Sequence, residues 1–206
     1  MRTMSTAYET SGRSAQKGRT RSALVAAARG LVAAGVTPTV EEAAAAASIS
    51  RTTAYRYFPN KRALLLAAHP EVGVPSMLPT DPPSDAATRL DLVVAAFTEM
   101  IRETEAQQRT MLRLSLEDAT ERGELPLRQG RAIGWIGEAL EVLRGRLSDA
   151  ELDQLVNAIR ATVGIEALVW LVDVAGISRP DAAALMRWSA SALLEVALTN
   201  PPPPAG

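Results

Sequence analysis

The chain of 206 residues contains no cysteine, which excludes disulfides, thiolate zinc sites and thiol nucleophiles. Its single histidine, His69, excludes multi-histidine metal sites and leaves one imidazole for any base or nucleophile scheme. That histidine precedes Pro70 and has no serine or acid partner suggested by spacing, and no motif such as His-Glu-x-x-His is present. No enzyme, metal or cofactor is therefore expected. Aromatic residues make up 4% of the chain against 47% hydrophobic residues, so Ala, Leu and Val carry the apolar content. That composition suits helices and is poor in the residues that strands favour. Residues 1–18 are polar and lack the apolar stretch of a signal peptide. The longest apolar run, 161–177, is interrupted by Glu166 and Asp173 and does not read as a membrane span. A soluble, cytoplasmic, helical protein with no membrane partner is expected.

The net charge of −1 conceals two halves of opposite sign. Residues 1–69 hold ten Lys/Arg and three Glu, a net of +7, and the remaining residues hold twelve Lys/Arg and twenty Asp/Glu, a net of −8. A positive segment joined to a negative one suggests that the first meets a polyanion. A solvated basic surface would give the same count.

Pattern divides the chain further. Residues 1–18 read as a disordered basic arm, 19–68 as a compact module, 69–83 as a proline-rich connector, 84–200 as a second helical domain, and 201–206 as a disordered tail. Helices are expected over 21–34, 40–46, 51–58 and 61–68, with Thr20, Thr39, Ser50 and Asn60 as caps. Further helices are expected over 84–106, 107–120, 127–146, 149–176 and 180–199. The fold class is all-α with about nine helices: an N-terminal helix-turn-helix module of three helices, then a second helical domain.

Residues 40–58 form two short helices joined by a turn of about three residues. On the second helix, Ala54 and Phe58 share one face, while Arg51/Tyr55 and Thr52/Arg56 share the opposite one, each pair four residues apart. The outward face carries guanidinium, hydroxyl and phenol groups and no acid. Arginine can grip guanine edges or phosphate, threonine can meet a thymine methyl, and tyrosine can bond phosphate. Lys61 starts the next helix, where its ammonium and the helix dipole together suit a phosphate.

The segments 39–44 and 49–66, and above all the run Tyr55-x-Tyr57-Phe58-x-x-Lys61-x-x-Leu64, resemble the DNA-binding module of the TetR family of bacterial transcriptional regulators. The resemblance covers roughly residues 20–68. It implies that Ser50 starts a recognition helix, that Arg51, Thr52, Thr53, Tyr55, Arg56 and Tyr57 lie at the DNA, and that Lys61 contacts phosphate. Thr39, capping the first helix of the pair, is placed with that set. The chain departs from the family pattern at Ser48, where glycine is usual, and in the alanine run 43–47. The resemblance implies a homodimer on a pseudo-palindromic duplex operator, acting as a repressor that answers to a small-molecule effector.

The second domain is less informative. In 149–176, Leu152, Leu155, Val156, Ile159, Val163, Trp170 and Val174 form one stripe, and 180–199 is also broadly apolar. These two helices are where the resemblance puts a dimer interface. Phe97, Met100, Met111 and Trp135 are candidates to line an effector cavity, although core packing would explain them equally. Arg113 and Glu117 could orient a polar ligand or pair with each other. Glu166 and Asp173 flank Trp170 and could receive a cation, or pair with Arg109, Arg113 or Arg131. The rival reading of the whole chain is a helical protein-interaction scaffold without specific DNA binding.

Overall fold

The computed structural model describes the backbone of residues 5–117 and 130–203, and side chains over 15–116 and 130–203. The helices are α1 (Ser5–Ala33), α2 (Val40–Ala46), α3 (Arg51–Tyr57), α4 (Lys61–Ala68), α5 (Ala86–Glu103), α6 (Glu105–Glu117), α7 (Arg131–Leu140), α8 (Asp149–Thr162), α9 (Ile165–Val169) and α10 (Arg179–Ala197). Among the described residues the only strand-like pairing is one bridge between Arg144 and Leu147, so the fold is all-α. The chain divides into two compact units, Met1–Val72 with Ala106–Arg128, and Gly73–Glu105 with Gln129–Gly206.

In the first unit α1 begins well before the expected start near residue 21. Thr20 is not its cap but sits inside it, donating its hydroxyl to the Gln16 carbonyl at 3.0 Å. Residues 5–19 contain no proline, so nothing blocks propagation of the helix upstream, even though they lack an apolar stripe. Leu24 and Ala28 of α1 pack with Val40, Ala43, Ala44, Ala54, Phe58, Leu64 and Ala68 in one core. Val32 and Leu65 form a second cluster with Met111 of α6. Arg29 gathers the end of α4, donating to the carbonyls of Ala68, His69 and Val72 at 3.1–3.4 Å. Gln107 of α6 donates to the Arg29 carbonyl at 3.3 Å.

In the second unit α5 and α7 meet through Phe97 and Trp135, and α8 and α10 complete the core with Leu155, Ile159, Met186 and Leu194. The non-helical segment that leads into α5 is pinned from this unit. Trp135 Nε1 donates to the Val74 carbonyl at 3.2 Å, Ser76 donates to Glu138 at 2.8 Å, and Arg89 reaches the carbonyls of Pro83, Glu138 and Ala139. The cap of α5 is Asp85, whose side chain accepts from the Thr88 N–H at 2.8 Å.

The expected single helix over 149–176 is broken. Val163 leaves helical geometry at φ −125°, ψ 117°, and Gly164 follows at φ 155°, ψ 179°, a conformation open only to glycine. The chain resumes as α9 and runs into a π-helical turn, Trp170–Val174. The break resets the phase of the apolar stripe. Leu152 to Val163 are buried as the spacing requires, but Trp170 and Val174, assigned to the same stripe, are 59% and 71% exposed. By length and composition Asp149–Val174 could cross a bilayer, yet it is interrupted at Gly164 and carries Glu166 and Asp173.

Two backbone sites yield predictions. A Cβ at Gly164 would run into the Arg160 guanidinium and would impose a strained φ. Gly164→Ala should therefore cost about 1–3 kcal/mol in denaturant titration. Ser48 is the one described non-glycine residue with positive φ, at 56°. Ser48→Gly should raise stability by about 1 kcal/mol by the same measurement, since an L-residue is penalised in this conformation.

Candidate nucleic-acid interface

The helix-turn-helix begins at a complete capping box. Thr39 Oγ1 accepts from the Glu42 backbone N–H at 3.1 Å, and Glu42 Oε2 accepts from the Thr39 N–H at 2.7 Å. Those bonds hold the Glu42 carboxyl below the usual carboxylate range, the Thr39 backbone N–H foremost. The hydroxyl of Thr39 also donates to Glu42, so it is taken up by the cap. At the turn, Ser48 and Ile49 donate to the carbonyls of Ala45 and Ala44 at 3.1 and 2.8 Å, and the left-handed Ser48 redirects the chain. The serine takes the conformation that glycine usually supplies there.

Ser50 then caps α3, accepting from the Thr53 N–H at 3.3 Å while donating its own hydroxyl to Thr53 Oγ1 at 2.8 Å. Ala54 is fully buried and Phe58 is 2% exposed, both against the α1–α2–α4 core. Arg21 of α1 stands over the Phe58 ring at 5.3 Å. The small residues Ala43, Ala44 and Ala54 line this contact, which lets α2 and α3 approach closely. Because Ala54 and Phe58 point inward, Arg51, Thr52, Tyr55 and Arg56 are exposed together on the other side. Tyr57 is half-buried against the core, and Thr53 is half-buried beside its cap. Lys61 is exposed in the first turn of α4, behind the Asn60 cap.

The outward face is not free of acid. Glu41, on α2, accepts from the Tyr55 hydroxyl at 2.7 Å and forms an ion pair with Arg51 Nη2 at 3.1 Å, both through Oε1. Arg51 in turn stacks over the Tyr55 ring at 5.7 Å. The Tyr55 hydroxyl, and to a lesser degree Arg51, hold the Glu41 carboxyl below the usual carboxylate range. The same bond pushes the Tyr55 phenol up. Spacing within α3 could not reveal this residue, because it comes from the preceding helix, fourteen positions away.

The residues proposed for an effector cavity are divided between the two units. Met111 packs with Val32 and Leu65 in the first unit, and Arg113 donates to Thr37 there at 2.9 Å. The side chain of Glu117 lies outside the described residues. In the second unit Phe97 and Trp135 are 2% and 3% exposed and meet edge to face at 5.7 Å, which is core packing. Met100 is half-buried on α5. Glu166 pairs with Arg160 at 3.4 Å, an arginine not among the three considered from sequence. Arg160 also covers the Phe97 ring at 5.8 Å and donates to the Val163 carbonyl at 2.9 Å. In an unbroken helix residues 160 and 166 would point to different sides, and only the turn at Gly164 brings them together. Trp170 faces outward. Among the described residues no group of three or more His, Cys, Asp or Glu is placed to hold a metal ion.

Comparison with known proteins agrees with the geometry of the first unit. No curated protein matches the chain. A family model described as bacterial regulatory proteins, tetR family, matches residues 23–68, from α1 through α4 and thus across the whole helix-turn-helix. Over residues 23–68 the chain thus carries the DNA-binding module of the TetR family of bacterial transcriptional regulators.

Proposed function

We propose that the protein is a homodimeric repressor that binds a pseudo-palindromic operator in the cytoplasm and releases it on binding a small-molecule effector. Each subunit presents α3 to a major groove, with Arg51, Thr52 and Arg56 toward base edges. Ser50, Thr53, Tyr55, Tyr57 and Lys61 lie on the surrounding backbone, and Thr39 acts from the α2 cap. The observation that carries the reading is the common exposure of Arg51, Thr52, Tyr55 and Arg56 on a helix whose other side is locked by Ala54 and Phe58.

A second observation supports the dimer. Helix α10 buries Ala182, Met186, Ala190, Leu194 and Ala197, and yet exposes Leu185, Trp188 and Val196 on another side. With half-buried Ala192 these positions recur at three- and four-residue steps. A helix apolar on two sides is stable when both are covered, and a second copy of α10 would cover the outer one. Trp170 and Val174 add exposed apolar surface to the same unit. An effector acts in this scheme only by binding the two states with different affinity.

Selection of the purified protein on random duplex DNA tests the operator. The wild type should enrich an inverted repeat, and the Arg51→Ala/Arg56→Ala variant should lose it, at about 1–3 kcal/mol for each base-reading arginine. Unchanged enrichment by the variant would overturn the assignment of α3 and favour the scaffold reading. For the dimer, Trp188→Glu should shift the sedimenting species from dimer to monomer, as expected where an aromatic anchor contributes about 2 kcal/mol or more.

A further inference from the structure

The pairing of Glu41 with Arg51 and Tyr55 has a meaning beyond the positioning of α3, and it rests on the reading of that face as the DNA surface. One carboxylate oxygen accepts from the phenol at 2.7 Å and pairs ionically with the guanidinium at 3.1 Å. These are the donor types that seek phosphate and base acceptors on DNA. Glu41 thus occupies, within the protein, the place that a phosphate oxygen would take outside it. Arg51 remains 73% exposed in the pair, and the Glu41 carboxylate is 36% exposed, so DNA meets both charges together.

We propose that Glu41 is a specificity-determining residue, an intramolecular competitor that holds Arg51 and Tyr55 and suppresses binding to non-operator DNA. Non-specific association is driven almost wholly by phosphate neutralisation and counterion release. On such DNA the Arg51 guanidinium gains only a phosphate in exchange for a carboxylate it already holds. The displaced carboxylate is then left within a Debye length of the duplex charge. An operator gives more in exchange, since a guanine edge accepts two hydrogen bonds from one guanidinium while the phenol moves to phosphate. The competitor therefore weakens random-sequence binding more than operator binding. Neighbouring Glu42 has no such role, because both its partners lie in the Thr39 cap.

The test compares wild type, Glu41→Gln, Arg51→Ala and the Glu41→Gln/Arg51→Ala double variant. Binding to a random-sequence duplex and to the selected operator is followed by fluorescence anisotropy across a salt series, and each fold is checked by circular dichroism. Glu41→Gln should bind the random duplex about two- to fivefold tighter, the range of an exposed ion pair. Its salt dependence should steepen by about one phosphate's worth of slope, and its preference for operator over random DNA should narrow. In the Arg51→Ala background the gain should largely vanish. If Arg51→Ala weakens binding while Glu41→Gln leaves random-duplex affinity and slope unchanged, the competitor role is overturned and the α3 reading stands. Weakened binding by Glu41→Gln to both duplexes would overturn it too, making Glu41 a positioning residue. If Arg51→Ala changes neither duplex, the α3 reading fails and the competitor role falls with it.

Discussion

A helix of seven residues is far too short to persist alone in water, and α3 has seven. Every functional feature of the first unit depends on how that segment is held. Ser50 satisfies its first turn, and Phe58 at its end is driven into the core, where a fully buried aromatic contributes about 2–3 kcal/mol. The alanines of α2 and α3 bring the two backbones close, and the left-handed serine between them sets the direction. Stability is thus concentrated on one side of α3, which leaves the other side to be chosen for chemistry.

Much of this was legible in the sequence, and the reasons are local. Thr39, Ser50 and Asn60 each precede a run of helix formers, and each caps the helix expected of it. The inward Ala54 and Phe58 and the outward Arg51, Thr52, Tyr55 and Arg56 follow from helical spacing alone. What escaped is what depends on neighbours distant along the chain. Glu41 reaches the α3 face from another helix, and within α2 its position indicates only a favourable dipole interaction. Glycine at 164 is a tolerated residue in a helical pattern until its backbone is seen to leave the helix. Helical spacing without that break puts Trp170 and Val174 on the stripe of Leu152 and Ile159, and it gives no sign of Arg160 as a partner of Glu166.

The charge asymmetry takes on a more local form in the structure. The positive excess of residues 1–69 is not spread evenly over a reading surface. Arg29 is turned to backbone carbonyls at the end of α4, Arg21 lies over Phe58, and Arg51 shares an acid. A tally of basic residues therefore overstates the charge that the α3 face presents. In the second unit the acids likewise have specific work, with Glu105 and Asp91 bonded to Arg179 and Arg187 of α10. The net −8 of residues 70–206 says little about any single surface.

The division of the chain carries a further consequence. The polypeptide passes from one unit to the other after Val72, again after Glu105, and once more after Arg128. The reading head is consequently not a detachable bead at the end of a tether. Part of its own packing, Met111 against Val32 and Leu65, is supplied by a segment that the chain reaches only after entering the other unit. A gene cut after the first four helices would encode the recognition residues but leave that apolar surface bare. The module that binds DNA is therefore shorter in sequence than the body that must fold to present it.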